Sequence, residues 1–210
     1  MLTLKVLAAL LDYPNPSTIR ALPEMRAVLE QEGKFAGPLA DRLFGLLDGL
    51  GQGDLLDHQA AWVDQFDRSR SLSLHLFEHV HGDSRDRGQA MVDLTALYES
   101  HGLAIDASEL PDYLPLFLEF LSLLDDEPAV ELLDEAVHVV EALALRLEER
   151  GNAYAAVLTA VAALAGGGAE STGRLPLATP EKDEDIDAAW EEEAVRFASG
   201  AALPACPAGG

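Results

Sequence analysis

Residues 62–98, WVDQFDRSRSLSLHLFEHVHGDSRDRGQAMVDLTALY, combine regularly spaced apolar residues with the densest group of polar side chains in the chain. The central part, residues 76–91 (LFEHVHGDSRDRGQAM), contains two histidines, three acids and two arginines. Apolar residues on both sides of Gly82 recur at helical spacing, which predicts two consecutive helices that meet at this glycine. The polar side chains therefore gather where one helix ends and the next begins.

The rest of the chain continues the helical pattern. Leucine and valine stripes recur at helical spacing, and no segment shows the alternation of β-branched residues that is typical of strands. The sequence therefore predicts an all-α, single-domain helical bundle over residues 1–165. A flexible acidic tail is expected at residues 166–210, with one docked helix at about residues 184–198 that carries Ile186, Trp190 and Phe197.

Two clusters of helix-breaking residues predict loops inside the bundle. Gly49, Gly51 and Gly53 lie close together, and residues 125–128 have the sequence DDEP. Glycine and proline both disfavour the interior of a helix, so we expect a loop at each place.

Composition restricts the kinds of partner. Lys and Arg number 14 against 37 Asp and Glu, and the formal net charge is -23. Such a surface repels nucleic acids and anionic lipids, whereas it attracts a basic peptide or protein. The alternative is that the charge only maintains solubility.

The chain offers no disulfide framework and no predicted membrane span. Cys206 is the single cysteine. The N-terminal apolar run is too short for a signal peptide, and Asp12 and Pro14 follow it where small residues would be needed. No apolar run reaches membrane-spanning length, so we expect a cytoplasmic protein without an integral membrane segment.

One short motif suggests an enzyme. His75, Glu78 and His79 form the pattern H-x-x-E-H, in which two histidines bind zinc and the glutamate activates water. A third ligand is not marked by any motif, and the predicted bundle has no sheet to line a cleft. A zinc-dependent hydrolase is therefore the remote alternative.

The other polar residues of the central segment have two interpretations each. Glu78, His81 and Asp83 can form a metal site, or they can stabilise the helix end by hydrogen bonds, which we prefer. Arg85 and Arg87 can bind an anion, or Asp83 and Asp86 can neutralise them, which we also prefer. With no Walker A loop and no nucleophile elbow, the sequence favours a binding protein without catalytic residues or a bound metal.

The central segment also resembles a known family. FDRSRSLSLHLFEHVHGDSRDRGQAMVDL, followed by YESHGL and ELPDYLPLFLEFLSLL, is similar to the NarJ-type chaperones of respiratory nitrate reductase assembly. These belong to the redox-enzyme maturation proteins, which include TorD and DmsD. The likeness extends to LLDYPNP near the start of the chain and to DAAWEEEAVRF near its end.

This resemblance implies a TorD-like helical bundle and a chaperone function. Such a chaperone binds the N-terminal segment of the immature nitrate reductase catalytic (alpha) subunit and assists insertion of the molybdenum cofactor before membrane docking. It binds no cofactor permanently, and cofactor-delivery proteins are further expected partners. The alternative within this class is a chaperone for another molybdoenzyme, such as a dimethyl sulfoxide reductase.

The resemblance also implies a binding site. In the central motif the matching positions are Phe77, Glu78, His79, His81, Asp83, Arg85, Asp86 and Arg87. The hinge-loop motif matches at Glu109, Pro111, Asp112 and Tyr113, with tyrosine where the family commonly has histidine. We expect an apolar groove floor for an amphipathic peptide, with core packing as the alternative, at Phe77, Met91, Tyr98, Phe117 and Leu121.

Overall fold

The computed structural model describes residues 1–82, 84–105 and 109–165. These residues form nine α-helices, a π-helical turn and a 3-10 turn, which confirms the all-α prediction. Asp83, the predicted tail at residues 166–210 and its predicted helix lie outside the described residues. The helices are α1 (Leu2–Leu11), α2 (Pro16–Glu32), α3 (Gly37–Gln52), α4 (Leu55–Trp62), α5 (Leu76–His81), α6 (Asp86–Ser100), α7 (Leu114–Ser122), α8 (Asp126–Glu149) and α9 (Ala155–Leu164).

The core lies where α1 packs against α7, α2 and α9, and where α8 packs along α9. Fully buried leucines from α1, α7 and α8 fill this layer, because each of these helices has an apolar stripe wide enough to face more than one neighbour. They include Leu4, Leu7, Leu11, Leu118, Leu121, Leu133 and Leu143. In the described part of the chain, no helix is both long and apolar enough to span a membrane.

The start of α1 is capped by a residue of the next helix. The Glu32 carboxylate accepts hydrogen bonds from the N–H groups of Leu2 and Thr3, both at 2.9 Å, and from the Thr3 hydroxyl at 2.6 Å. The first N–H groups of a helix have no partner within the helix, so Glu32 satisfies two of them. This contact fastens the N-terminus of α1 to the C-terminal end of α2.

Both predicted loops inside the bundle were wrong. Helix α3 continues to Gln52, so Gly49 and Gly51 are helical. Helix α8 begins at Asp126, and Pro128 lies in its first turn, where a missing N–H needs no partner. Asp126 and Glu127 favour a helix start because their charges interact well with the positive end of the helix dipole.

Helix α4 leads into an irregular segment. It continues as the π-helical turn Val63–Asp67 and then as the 3-10 turn Arg70–Leu72. The Trp62 indole N–H donates to the Leu11 carbonyl at 2.9 Å, and Gln59 donates to the Pro14 carbonyl at 2.8 Å. These bonds hold the end of α1 against α4.

A short antiparallel pairing precedes α5 and α7. Leu76 donates its N–H to the Asp112 carbonyl at 3.0 Å, and Leu114 donates to the Leu74 carbonyl at 2.8 Å. His75 and Tyr113 lie opposite each other in this bridge. The two matched motifs are therefore neighbours in space.

Candidate functional site

Asp112 supports the site from inside the protein. Its side chain is 0% exposed. One carboxylate oxygen accepts the Phe77 N–H at 3.0 Å, and the other lies 3.2 Å from Nδ1 of His75. Asp112 thus caps the start of α5. Because its carboxylate is fully covered, a binding partner cannot contact Asp112 directly.

The pKa values of His75 and His79, which lie near this cap, are shifted in opposite directions. The hydrogen bond to Asp112 raises the pKa of His75, despite partial burial. Burial lowers the pKa of His79, although the Ser73 carbonyl, 2.7 Å from its Nε2, opposes this effect. The His79 ring is buried, so it stabilises the fold as a neutral donor.

Glu78 and Arg87 connect the two helices of the central motif. Arg87 donates to the Glu78 carboxylate at 3.3 Å, and both side chains are about a quarter exposed, at 22% and 24%. The chain reverses between them at Gly82, whose φ is 52°. Such a positive φ suits glycine because it has no Cβ.

The remaining polar residues of the central motif lie at or near the surface. Arg85 and Asp86 are exposed, and the Asp86 carboxylate accepts the Ser84 hydroxyl at 3.2 Å. His81 is half-buried and lies edge-on to the Phe77 ring at 5.5 Å. The described ion-pair partner of Arg87 is Glu78, whereas Asp83, the predicted partner, lies outside the described residues.

A polar cavity of about 630 Å³ opens beside α5, and we call it the acidic cavity. Four carboxylates and one guanidinium line it, from Asp12, Asp67, Glu78, Glu109 and Arg70. Its aromatic lining consists of Tyr13, Trp62, Phe66, His75 and Tyr113. The excess of carboxylates makes it suitable for a positively charged group.

A second cavity of about 250 Å³ adjoins the first between α1 and α7. Asp12, Glu109 and Tyr113 line both cavities, so these residues lie between the two. The Tyr113 hydroxyl donates to the Asp12 carboxylate at 3.1 Å, and the pKa of Tyr113 is raised by burial. This hydrogen bond lies at the boundary between the two cavities.

The structure brings together only part of the predicted site. Glu78, Glu109 and Tyr113 line the acidic cavity. Asp112 and His79 are buried behind it. Asp12, Tyr13, Trp62 and Asp67 line the cavity without having been predicted. Asp12 and Tyr13 lie in the LLDYPNP stretch of the resemblance and Asp67 in its FDRSRS stretch, whereas Trp62 lies outside both.

The predicted groove floor does not form one open surface. Tyr98 and Leu121 are buried in the core, and the Tyr98 hydroxyl donates to the Pro111 carbonyl at 2.7 Å. Phe77 and Phe117 instead line a small apolar cavity of about 150 Å³ between α5 and α8. Met91 is half-buried on α6. Tyr98 of α6 and both Phe117 and Leu121 of α7 are buried in the core, as the alternative of core packing predicts.

The histidine pattern does not form a zinc site. Helix α5 begins at Leu76, so His75 precedes it and does not share a helical face with His79. Their rings hydrogen-bond to different partners, Asp112 and the Ser73 carbonyl. In the described ranges, no three His, Cys, Asp or Glu side chains are arranged as metal ligands.

Comparisons with known proteins show which family the chain belongs to. The family model described as nitrate reductase delta subunit matches residues 32–160. The chain is 42% identical to an Escherichia coli K12 protein named probable nitrate reductase molybdenum cofactor assembly chaperone NarW, over 94% of this chain and 84% of that protein. It is 40% identical to the NarJ chaperone of the same organism, over 94% of this chain and 85% of that protein.

A solved structure supports the fold. A crystal structure described as a redox enzyme maturation protein from Archaeoglobus fulgidus superimposes with a TM-score of 0.55 at 25% identity, and covers 76% of this chain and 89% of that one. The family match spans more than half of the chain, and the relatives align over nearly all of it. The chain therefore belongs to the nitrate reductase delta subunit family.

Proposed function

We propose that the protein is a nitrate reductase assembly chaperone. It binds the N-terminal segment of the immature catalytic subunit and assists insertion of the molybdenum cofactor before that subunit docks at the membrane. It acts in the cytoplasm and is not an enzyme. The observation that carries this proposal is the alignment, over 94% of the chain, with proteins named as nitrate reductase molybdenum cofactor assembly chaperones.

The site geometry supports binding at the acidic cavity. Glu78 belongs to the central motif, whereas Glu109 and Tyr113 belong to the hinge-loop motif. All three line the acidic cavity. Binding of the client segment at this cavity requires no chemical reaction. The cofactor is inserted into the client, so the chaperone holds none permanently, and cofactor-delivery proteins are transient partners.

Calorimetric titration with a synthetic peptide from the N-terminus of the catalytic subunit tests the proposal. We expect saturable binding, and a weakening of about 10-fold for Glu109→Lys, because charge reversal at the cavity repels a basic segment. Glu99→Lys, at an exposed position on α6, serves as the control and should leave the affinity nearly unchanged.

Affinity capture from cells with the tagged full chain identifies the client. Recovery of the nitrate reductase catalytic subunit is the expected result. Recovery of a different molybdoenzyme would instead support the alternative client. No peptide binding together with no captured molybdoenzyme would contradict the chaperone function.

A further inference from the structure

We propose that residues 184–198 dock as an amphipathic helix in an apolar groove between α1 and α2 of the same chain. The structure describes the groove, and the sequence supplies the segment that fills it. The inference does not depend on the proposed function, because it concerns a surface away from the acidic cavity and an occupant that belongs to this chain.

The groove is an apolar surface that the described bundle leaves open to solvent. It has a volume of about 380 Å³, and we call it the α1–α2 groove. Val6 and Met25, which are 6% and 8% exposed, form its floor, whereas Leu2 is 57% exposed at the start of α1. Contiguous apolar surface of this kind marks a site of interaction. The apolar residues that line the groove are Leu2, Val6, Ala9, Ala21, Met25 and Val28.

The proposed occupant has the sequence EDIDAAWEEEAVRFA. Ile186, Trp190 and Phe197 lie four and then seven positions apart, which places them on one face of a helix. Val195 lies on the opposite face, among acidic residues. A narrow stripe with large apolar anchors suits a groove between two helices, since helix-in-groove recognition uses anchors at this spacing.

The end of α9 brings the chain towards this groove. Tyr154, which precedes α9, is connected through the ring of Phe66 to Trp62, and the Trp62 indole N–H donates to the Leu11 carbonyl. Helix α9 therefore begins beside the end of α1. Because α9 also packs against α1, it runs back towards the start of α1. The chain leaves α9 on the side where the groove begins.

The connecting segment is long enough to reach the groove. Residues 166–183, GGGAESTGRLPLATPEKD, are rich in glycine, proline and small polar residues, a composition typical of a linker. A flexible chain of this length has an end-to-end distance of about 24 Å. Helix α1, with ten residues, is about 15 Å long. The linker can therefore place the segment along the whole groove.

Charge directs the acidic segment to this part of the surface. Residues 184–198 contain six acids and one arginine, and residues 37–165 contain 24 acids and seven basic residues, so most of the bundle repels the segment. Residues 1–36, which form α1 and α2, contain four of each. Lys5 and Glu24 both line the groove, and Arg20 is exposed next to it on α2. The α1–α2 groove is therefore the apolar surface with the least repulsion.

Docking would have two consequences for the surface. It would cover Leu2, which is otherwise the most exposed apolar side chain of α1. Lys5 and Ala9 line the second cavity as well as the groove, so the acids of the docked segment would lie beside that cavity and extend its negative potential.

Paramagnetic relaxation in NMR spectra of the full chain tests the docking. A nitroxide label is attached at Ala188→Cys in a Cys206→Ser background, because position 188 lies opposite the apolar stripe. We expect broadening of the amide signals of α1 and α2 that border the groove, and little broadening in α6. Trp190→Ala should lower the docking equilibrium constant by about 10-fold, because it removes the largest anchor. Val195→Ala, on the opposite face, is the matched control and should leave the broadening unchanged.

Three results would overturn the inference. The first is no broadening in α1 and α2, or equal broadening over the whole bundle. The second is an equal effect of Trp190→Ala and Val195→Ala. The third is broadening that appears only when labelled chains are mixed with isotope-enriched unlabelled chains, which would assign the segment to a second copy. All these substitutions lie outside the bundle, and the amide spectrum of residues 1–165 verifies that its fold is unchanged.

Discussion

The carboxylate of Asp112 accepts the backbone N–H of Phe77 at 3.0 Å, although the two residues are 35 positions apart. Asp112 therefore caps a helix that belongs to a different segment of the chain. The cap joins the two motifs that carry the family likeness and orients α5, which presents Glu78 to the acidic cavity. Loss of this contact should disturb both stability and the cavity.

Asp112→Ala should lower the free energy of unfolding by about 2–3 kcal/mol, because it leaves the part-buried N–H of Phe77 and the His75 ring without their acceptor. Urea denaturation followed by circular dichroism measures the change. Asp41→Ala, at an exposed position on α3, is the control and should cost less than about 0.5 kcal/mol. A loss at Asp112 as small as that of the control would show that the cap is dispensable.

His75 and His79 should contribute opposite pH dependences to stability. The pKa of His79 is below its ordinary value of 6.5, so acidification through that value favours the unfolded state, which binds the proton more readily. The pKa of His75 is raised above 6.5, so its contribution is complete below 6.5 and is lost as the pH rises through the folded-state pKa.

Between about pH 7 and pH 5, His79→Gln should therefore lose less stability than the wild type, and His75→Gln should lose more. Each difference corresponds to about 1.4 kcal/mol per unit of pKa shift at most. Denaturation at several pH values measures it, with the exposed His101→Gln as the control. Parallel pH profiles for all three variants would contradict the assignment, and proton NMR titration of the rings checks it directly.

Glu32→Gln should lower the free energy of unfolding by about 1 kcal/mol at neutral pH, because the charged cap of α1 is weakened. Burial raises the pKa of Glu32, but its hydrogen bonds with Thr3 and Leu2 outweigh this effect and hold the pKa below 4.5. The contribution is therefore present above 4.5 and is lost as the pH falls through the folded-state pKa.

The difference between wild type and Glu32→Gln should consequently shrink in acid, as measured by thermal melts from about pH 7 to pH 3. Glu30→Gln, which alters an exposed residue of the same helix, provides the comparison. A difference that stays constant over this range would indicate that the carboxylate charge does not matter.

Leu121→Ala should cost about 3 kcal/mol, whereas Leu123→Ala should cost less than about 0.5 kcal/mol. Leu121 is 0% exposed within the α1–α7 core, and Leu123, two residues later, is 60% exposed. Both substitutions remove the same atoms, so most of the difference reports the burial of Leu121 in the core. Chemical denaturation of both variants measures it, and similar losses would mean that α7 is oriented differently.

Several features of the fold could be predicted because they depend on the residues of a short segment of the chain. Leucine spacing indicated the helices, and Gly82 indicated the junction between α5 and α6, since periodicity and positive φ are both properties of a short segment. The resemblance also placed Glu78 and Glu109 in one site, and both line the acidic cavity. The loop prediction at Gly49 failed because glycine only weakly disfavours a helix interior. The prediction at Pro128 failed because proline is tolerated in the first turn of a helix.

The amino-acid sequence by itself therefore determined the helical class, most of the helix positions and the family, since these depend on periodicity and on contiguous motifs. Only the tertiary structure decided which polar residues are buried and stabilise the fold, and which are exposed to a partner. Asp112 and Glu109 are three residues apart, yet one is fully covered and the other lines a cavity. Trp62 and Asp12 are 50 residues apart, yet they share that cavity, because helix packing sets distances that spacing along the chain cannot express.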